Sequence, residues 1–516
     1  MSDKPTMGVE VNVRSNGTPE LKTAHSKGPE TQANTPFCIA ILGDFSGGLK
    51  NTSDLKNKRR LIEIDRDNLE EVMADFKINL NLNLSDSETI NIALNELDDF
   101  HPDELYEKLE SFSKLRSLRR RLKSKNNFAD AAAEIQGWIP YIKQTQATTV
   151  EKTSSDNSPD SAINSDNLLD DILGSHQEQS GNNTATEATH IDKLIKSIVA
   201  PYVEAATDPR QDDMISMVDK ATESHMRDIL HHPDFQSMES AWLSLYFLIK
   251  RIETGSKLKL FILDITKKEL QNDLAVDDIS TSGVYKLFCD PAEGDAPWSV
   301  LLGNYSFTDS IEDVLSLVNI GAIAQQTNAP FIAAANEHLA CCESFSKTPD
   351  YEDWNHIISE GTRKAWEMLR QSPVASYIGL ALPRFLLRLP YGKKSKPIDT
   401  FTFEELTDEN DHESYLWGNA AFIKTECLAR NFYNNHWNMR LTEVFQTDNL
   451  PVHYFQDDGE TVNKPVAEIM LTEKGGEILN DNGLISLWSV RNMDCIRSTD
   501  YRSIHKNSLN ISGRWD

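Results

Sequence analysis

Apolar residues recur at strand or helix spacing in two parts of the chain and are sparse in the stretch between them. Residues 36–145 and 190–516 carry the patterned runs, whereas residues 146–189 consist mainly of Ser, Thr, Asn, Asp and Glu. A segment of that composition buries too little apolar surface to offset the entropy lost on ordering. The pattern therefore predicts two folded blocks joined by a polar tether and preceded by a flexible N-terminal segment, residues 1–35.

The first block begins with a dense apolar run. The run FCIAILGDFSGG, residues 37–48, predicts a buried strand that ends in a tight turn. A short strand is expected around residues 61–64, followed by a helix for which Asp65 or Asp67 is the candidate N-cap. The segments INLNLNL and ETINIALNEL then alternate apolar and polar residues, which predicts two strands with one buried face. The apolar face of the helix comprises Leu69, Val72, Met73 and Phe76.

A longer amphipathic helix is predicted at the end of the first block. Asp98 or Asp99 can cap it, and Pro102 suits its first turn. Asp98, Asp99 and His101 are also a candidate metal or acid–base site, but no second His or carboxylate pair follows at ligand spacing, so helix capping is the preferred interpretation. The apolar stripe comprises Leu105, Leu109, Phe112, Leu115, Leu118 and Leu122.

The second block alternates helical and strand patterns. Residues 226–252 read as a helix interrupted at Pro233, and the adjacent His231 and His232 mark that break rather than a metal site. The run KLKLFILDI predicts a strand, and residues 310–335 predict a helix followed by a short apolar strand. Both blocks therefore indicate an α/β (α+β) fold in which mixed sheets are covered by helices.

Composition narrows the class of protein. The chain has 516 residues and a net charge of −28, which argues against nucleic acid binding, because phosphate contacts need concentrated Lys and Arg. The basic cluster at residues 116–123 is interpreted as the solvated face of a helix. Six cysteines are scattered without metal-ligand spacing, and no apolar stretch reaches the roughly 20 residues of a membrane span. We expect a cytoplasmic, reduced protein that does not insert into membranes.

Catalytic motifs are missing from the sequence. The GDFSGG turn lacks the Gly-Lys-Ser/Thr ending of a phosphate loop, and HEXXH, GXSXG and paired-cysteine patterns do not occur. No nucleophile stands beside a recognisable base. The sequence therefore predicts a protein that is not an enzyme and has no catalytic residue, cofactor or metal site.

Several of these segments match a known family in order and spacing. PFCIAILGDFSGG, LKNKRRLIEIDRDNLEEVMADF and LDDFHPDEL resemble the small, TssB-like subunit of the contractile sheath of bacterial type VI secretion. The second block resembles the large, TssC-like subunit through ILHHPDFQSMESAWLSL, LLGNYSF, APFIAAA, ASYIGLALPRFLLRLPYG, FTFEE and LWGNAA. Leu243 stands where that family often has Arg. Large subunits continue well beyond the region resembling PVAEIMLTEKGGEILNDNGLISL, so the resemblance implies that the second block lacks the usual C-terminal region.

The resemblance implies a function. It indicates a structural subunit, a fused small and large subunit with an intertwined core, that assembles with other copies around an inner tube and contracts to expel it. Baseplate proteins and a Clp-family disassembly ATPase are the further partners it implies. The alternative is a diverged accessory protein that caps or nucleates the sheath or baseplate. An enzyme of unknown type is a more distant alternative.

Two groups of residues are candidate contact sites. Within the tether, NLLDDILGS gathers Leu168, Leu169, Ile172 and Leu173 on one side of a short helix that Asp166 or Asn167 can cap. It resembles the helix by which the disassembly ATPase recognises the large subunit; the alternative is a chance amphipathic turn in a linker.

The second candidate is a local positive patch. In PRFLLRLPYGKKSK, the cations Arg384, Arg388, Lys393, Lys394 and Lys396 stand out on an acidic chain and could contact an acidic surface on a neighbouring copy. The alternative is a solvated rim whose leucines and phenylalanine pack inward.

Overall fold

A computed structural model describes residues 34–48, 60–85, 88–136, 198–199, 211–290, 296–441, 444–457, 459–498, 501–507 and 510–516. Twelve α-helices lie in these ranges: α1 (Leu69–Phe76), α2 (Pro102–Lys108), α3 (Glu110–Lys123), α4 (Phe128–Gln136), α5 (Gln211–Leu230), α6 (Pro233–Arg251), α7 (Lys267–Leu274), α8 (Gly283–Cys289), α9 (Ile311–Thr327), α10 (Glu360–Gln371), α11 (Ala420–Asn435) and α12 (Glu473–Asp481).

The same ranges contain sixteen strands: β1 (Phe37–Gly43), β2 (Ile62–Ile64), β3 (Ile78–Ser85), β4 (Glu88–Leu94), β5 (Leu258–Asp264), β6 (Trp298–Phe307), β7 (Phe331–Ala335), β8 (Ile378–Leu382), β9 (Phe385–Leu386), β10 (Trp417–Gly418), β11 (Phe445–Thr447), β12 (Tyr454–Asp457), β13 (Glu460–Asn463), β14 (Ile485–Ser486), β15 (Trp488–Ser489) and β16 (Ile496–Ser498). The predicted flexible segment 1–35 and tether 146–189 lie almost wholly outside the described residues.

Seven of the strands form one sheet in the order β14-β8-β7-β6-β1-β5-β2. Neighbouring strands run parallel except β2, which is antiparallel to β5 at the edge. Helices cover both faces, as expected for parallel strands that must be buried on both sides. The predicted α/β class with mixed sheets covered by helices is confirmed.

The two faces of the sheet carry separate hydrophobic cores. Successive side chains of a strand point to opposite faces. Phe37, Ile39 and Ile41 of β1 therefore pack in a core with α1, α3, α5, α6 and α11. Ala40 and Leu42 pack in a second core with α7, α8, α9, α10 and α12.

Most elements predicted in the first block are present. The run after residue 36 is β1, which is buried along its whole length, and the short strand is β2. The two alternating segments are β3 and β4, an antiparallel hairpin whose isoleucines and leucines from Ile78 to Leu82 and from Ile90 to Leu94 are buried. All four predicted apolar residues of α1 are buried. The period-two and helical patterns were therefore sufficient to find these elements.

The predicted caps were wrong. Helix α1 begins after Asn68, and the Asp65 carboxylate instead accepts the backbone N–H groups of Asp67 and Asn68 in the preceding turn. Helix α2 is capped by His101, whose Nδ1 accepts the N–H of Asp103 at 3.3 Å. In both cases the Asp side chain accepts backbone N–H groups of a neighbouring turn, and the residue directly before the helix is its N-cap.

The long helix predicted from the leucine stripe is two helices, α2 and α3. They meet at Leu109, whose backbone is extended. The other five stripe residues are buried. In the second block, the helix break at Pro233 is confirmed: α5 ends before His231, and His232 caps α6 by accepting the N–H of Asp234 at 3.2 Å.

Short strands and one hairpin complete the second block. Strand β9 pairs with β10, strands β11, β16 and β15 form a small antiparallel sheet, and β12 pairs with β13. Among the helices of the described ranges, none combines the length and the hydropathy that crossing a membrane requires.

Candidate functional site at the junction of the two blocks

The first block contributes a central strand to the sheet of the second block. Strand β1 is hydrogen-bonded to β5 on one side and to β6 on the other, both from the second block, with Ile41 aligned to Ile262 and to Leu302. Strands β5 and β6 are consecutive in the second block and are separated by the width of one strand, which β1 fills. Without β1, the facing edges of β5 and β6 would keep backbone groups that lack partners.

The turn after β1 fastens this strand to the second block. The Asp44 carboxylate accepts the N–H groups of Gly47 and Gly48, both of which have positive φ (76° and 65°) and so require glycine. Asp264, at the end of β5, accepts the Phe45 N–H at 2.9 Å and the Ser46 hydroxyl at 2.7 Å. The GDFSGG motif is therefore a strand exit and a contact between blocks, which agrees with its interpretation as a turn.

Trp242 of α6 is the main aromatic contact with the first block. It is fully buried, and its indole N–H donates to the Phe45 carbonyl at 3.1 Å. Its ring meets Phe45 and Phe76 edge to face, with centroids 5.5 and 5.7 Å apart. A large aromatic residue whose polar atom is also satisfied gives both buried area and orientation.

Helices α3 and α5 form a second contact between the blocks. Arg119 of the basic cluster makes a bidentate ion pair with Asp219 of α5 (2.5 and 3.0 Å). Beneath it, Nε2 of His225 lies 3.0 Å from the Ser111 hydroxyl, and burial lowers the pKa of His225 to about 3. Arg119 thus links the two blocks through an ion pair whose side chains are each 36 % exposed, while Arg120 and Lys123 lie on the predicted solvated face.

A buried charge cluster lies beside this junction. The Arg388 guanidinium donates to Glu239 of α6 (2.6 and 3.2 Å) and to Glu405 (2.8 and 3.0 Å), and both carboxylates are only 1 % exposed. Burial favours protonation of Glu405, but the Arg388 charge, the nearby His231 ring and the hydrogen bonds from Arg388 and the Tyr391 N–H outweigh it and hold the pKa at about 2. Burial raises the pKa of Glu239, and the Arg388 guanidinium, which also serves Glu405, offsets this only in part.

The segment that carries Arg388 also contacts the first block. The His101 ring lies edge to face on Tyr391, with centroids 4.9 Å apart, and the Arg388 guanidinium lies 4.4 Å from the centre of the same ring. The Asp103 carboxylate accepts the N–H and hydroxyl of Thr400 at 3.0 and 2.6 Å. The cluster therefore fixes a loop on which the first block rests.

The structure divides the predicted basic patch. Arg388 is buried in the cluster, and Arg384 is engaged with Glu468, whose carboxylate also meets His412 at 2.9 Å. Lys393 and Lys394 are exposed, and Lys396 is partly buried against Tyr391. Lys393 and Lys394 are the most exposed of these cations, the Arg384 side chain is 40 % exposed, and a contact with another molecule stays a prediction. Leu168, Leu169, Ile172 and Leu173 lie outside the described residues.

Glu239 and Glu405 are the site residues that sequence reasoning missed. The signal for Glu239 was its helical spacing: it lies four residues after Phe235 and three before Trp242, so it shares their buried face. A carboxylate on such a face needs a buried cation, and Arg388 stands in an apolar run. Which cation pairs with which carboxylate depends on tertiary contacts between residues 149 positions apart.

Two family models match separate parts of the chain. The model described as VipB (EvpB/VC_A0108, tail sheath N-terminal domain) matches residues 212–505. The model described as T6SS_VipA (type VI secretion system, VipA, VC_A0107 or Hcp2) matches residues 22–151. The intertwined blocks are thus a small-subunit-like and a large-subunit-like sheath domain in one chain. The chain belongs to the family of type VI secretion tail sheath proteins, as a TssB/TssC fusion.

A curated relative agrees with this assignment. The chain is 33 % identical over 305 residues to the type VI secretion system sheath protein TssC1 of Pseudomonas aeruginosa. The matched region is 57 % of this chain and 61 % of the relative, so the chain spans about three fifths of the curated relative's length. The sequence-based recognition of both subunits is confirmed.

Proposed function

We propose that this chain is a noncatalytic structural subunit of a type VI contractile sheath, in which one polypeptide supplies both halves of the protomer. The observation that carries the proposal is the position of β1 between β5 and β6. A strand that completes the other block's sheet makes the two halves one folding unit. Two halves joined in this way are suited to act as a single rigid repeat in a helical assembly.

The proposed assembly is a tube of such protomers around an inner tube. Contraction is then a change between two packings of the same rigid unit, with the free energy stored when the extended form assembles. The interlocked cores support this role, because the two halves of the chain are joined by hydrogen-bonded strands of one sheet and not by a single side-chain contact. Inner tube protein, baseplate proteins and a Clp-family ATPase are the partners that this role requires.

Electron microscopy of the purified full-length chain tests the proposal. We expect ordered tubes, either from the chain alone or with the proteins encoded beside it. Binding confined to the ends of sheath-like tubes formed by other subunits would favour the accessory role that caps or nucleates a sheath. If the chain forms no tubes and binds to no tubes under either condition, the sheath role is contradicted.

A cleavage experiment tests separately whether the two halves of the chain form one folding unit. A protease site placed within residues 146–189 lets the tether be cut after folding. Because β1 is held on both sides, the fragments should co-elute on size exclusion without denaturant. Fragments that separate would show that the halves are independent domains.

A further inference from the structure

Two histidines and an aspartate converge at the carboxyl edge of the central sheet. Asp309 follows β6, His338 lies in the short turn after β7, and His356 lies in the loop before α10. Because β6 and β7 are parallel neighbours, the loops after them meet at one edge, the usual place for a ligand in an open α/β sheet. These residues are far apart in sequence, 29 and 47 positions from Asp309.

Their ligand atoms have the spacing of a transition-metal site. Asp309 Oδ1 lies 3.3 Å from His338 Nδ1, and Asp309 Oδ2 lies 2.9 Å from His356 Nε2. All three ligand atoms lie within 4.8 Å of one another. A tetrahedral zinc ion with bonds of about 2.0–2.1 Å holds its ligand atoms about 3.3 Å apart. The two short contacts use different oxygens of Asp309, and small shifts of the two rings would bring both nitrogens and one carboxylate oxygen to that spacing.

A second shell is also present. The other ring nitrogen of His356, Nδ1, lies 3.0 Å from the Glu343 carboxylate. Metal-bound histidines usually donate their second N–H to such a carboxylate, which fixes the tautomer and orients the ring. When Nδ1–H donates to Glu343, Nε2 is the nitrogen left to bind an ion on the Asp309 side of the ring.

The two rings lie side by side and face the same carboxylate. The His338 and His356 rings are stacked, with centroids 4.0 Å apart and planes 17° from parallel. Each ring has one nitrogen within 3.3 Å of an Asp309 oxygen, so both ligand nitrogens border the same space. The side chains are 17–33 % exposed, so an ion can reach them.

We propose that Asp309, His338 and His356 form a site for one divalent transition-metal ion of the zinc class, with Glu343 as the positioning residue for His356. Imidazole and carboxylate ligands favour such ions over Mg²⁺ or Ca²⁺, which prefer oxygen alone. The ion joins the loop after β6, the turn after β7 and the loop before α10. At least one coordination position is left to water. The proposal is independent of the sheath role.

Zinc titration of the chelator-treated full-length chain by isothermal calorimetry tests the site. Wild type should bind one Zn²⁺, and thermal unfolding should shift upward with zinc. Asp309→Asn and His356→Gln should each weaken binding by at least about 100-fold, and Glu343→Gln by about 10-fold. His505→Gln is the matched control: its neighbour Ile504 bonds to Ile378 at the start of β8, the opposite edge of the sheet, so binding should not change.

Cobalt(II) gives a second readout, because six free cysteines could also take up metal. The site predicts d–d absorption without a thiolate-to-metal charge-transfer band, and loss of that absorption in Asp309→Asn. A thiolate band, wild-type affinity in the Asp309 and His356 variants, or no binding by wild type would each overturn the proposal. Should a ligand variant fail to fold in chelator, Glu343→Gln decides: unchanged affinity there counts against the site.

Discussion

Replacing Arg388 by methionine removes the guanidinium that is hydrogen-bonded to both Glu239 and Glu405. Methionine keeps much of the side-chain volume, so the main change is the loss of charge and of four hydrogen bonds to carboxylate oxygens. Both carboxylates are buried in the wild-type structure, so the substitution takes the guanidinium from two buried acidic groups. Breaking a buried pair by removing one partner is more destabilising than replacing the whole pair.

The size of the effect follows from two separate arguments. The pKa of Glu405 falls from 4.5 to about 2 in the folded protein, which corresponds to roughly 3 kcal/mol of stabilisation of its charged form, with Arg388 as the largest contributor beside His231 and the Tyr391 N–H. Removal of one partner from a buried ion pair typically costs about 3–5 kcal/mol. Glu239 reduces the expected loss of stability, because burial raises its pKa and it can become neutral by taking up a proton once Arg388 is removed. We therefore expect a loss near the lower end, about 3 kcal/mol.

Hydrogen exchange measured by mass spectrometry on the full-length chain is the suitable assay. A chain with two cores need not unfold in one step, so a local measurement is more informative than a single melting temperature. Amides of α6 and β9 that exchange through opening of this region should lose about 100-fold of protection. Lys394→Met, at an exposed position, should leave them unchanged. Protection within about threefold of wild type in Arg388→Met would refute the reasoning.

The same cluster predicts a dependence on pH. The folded-state pKa of Glu405 is depressed, so its contribution to stability is present above its unfolded value of 4.5 and is lost as pH falls through about 2. The unfolding temperature of wild type should therefore drop on acidification in that window. Arg388→Met should show a smaller drop there than Lys394→Met. Equal slopes in the two variants would contradict the assignment.

Three further predictions concern the contacts of the chain. Ile41→Asp places a charge at a fully buried position of β1 and should make the tether-cleaved halves separate on size exclusion, whereas Ile41→Val, costing about 1 kcal/mol, should leave them together. Reversing Lys393 and Lys394 to Glu should weaken tube formation in electron micrographs without lowering the thermal stability of the isolated chain. Leu169→Asp with Ile172→Asp should abolish binding of a tether peptide, residues 165–177, to the cognate Clp-family ATPase; unchanged binding would make the segment a plain linker.

Local patterns were enough to predict the strands and helices. The run from Phe37 to Gly43 has no polar residue, and such a strand must be covered on both faces, which is what the structure shows. The β3 and β4 hairpin follows from alternation of Asn with Leu or Ile. Caps were predicted less well, because several Asp residues near a helix start can accept hydrogen bonds from the same backbone N–H groups. Which residue caps the helix depends on the geometry of the preceding turn.

Long-range pairings could not be predicted in the same way. The cationic neighbours of Arg388 at 393, 394 and 396 predict a surface patch, yet Arg388 lies in a loop that is buried against Glu239 of α6. Asp309, His338 and His356 were not singled out, because their spacing matches no metal motif and only the parallel order of β6 and β7 brings them together. The residues of a site can be predicted from local sequence patterns when they lie close together in the chain, but not when the tertiary fold brings distant residues together.

The position of β1 gives a physical reason for joining the two halves in one chain. A strand with seven buried residues exposes apolar side chains and backbone groups on both edges when its partners are absent, so a free first block is prone to aggregate. In separate subunits, insertion of β1 between β5 and β6 is a bimolecular step that depends on concentration. A tether makes it intramolecular, with an effective concentration set by linker length. Fusion also fixes the ratio of the two halves at one to one. Every second block therefore has a β1 strand available to fill the space between β5 and β6.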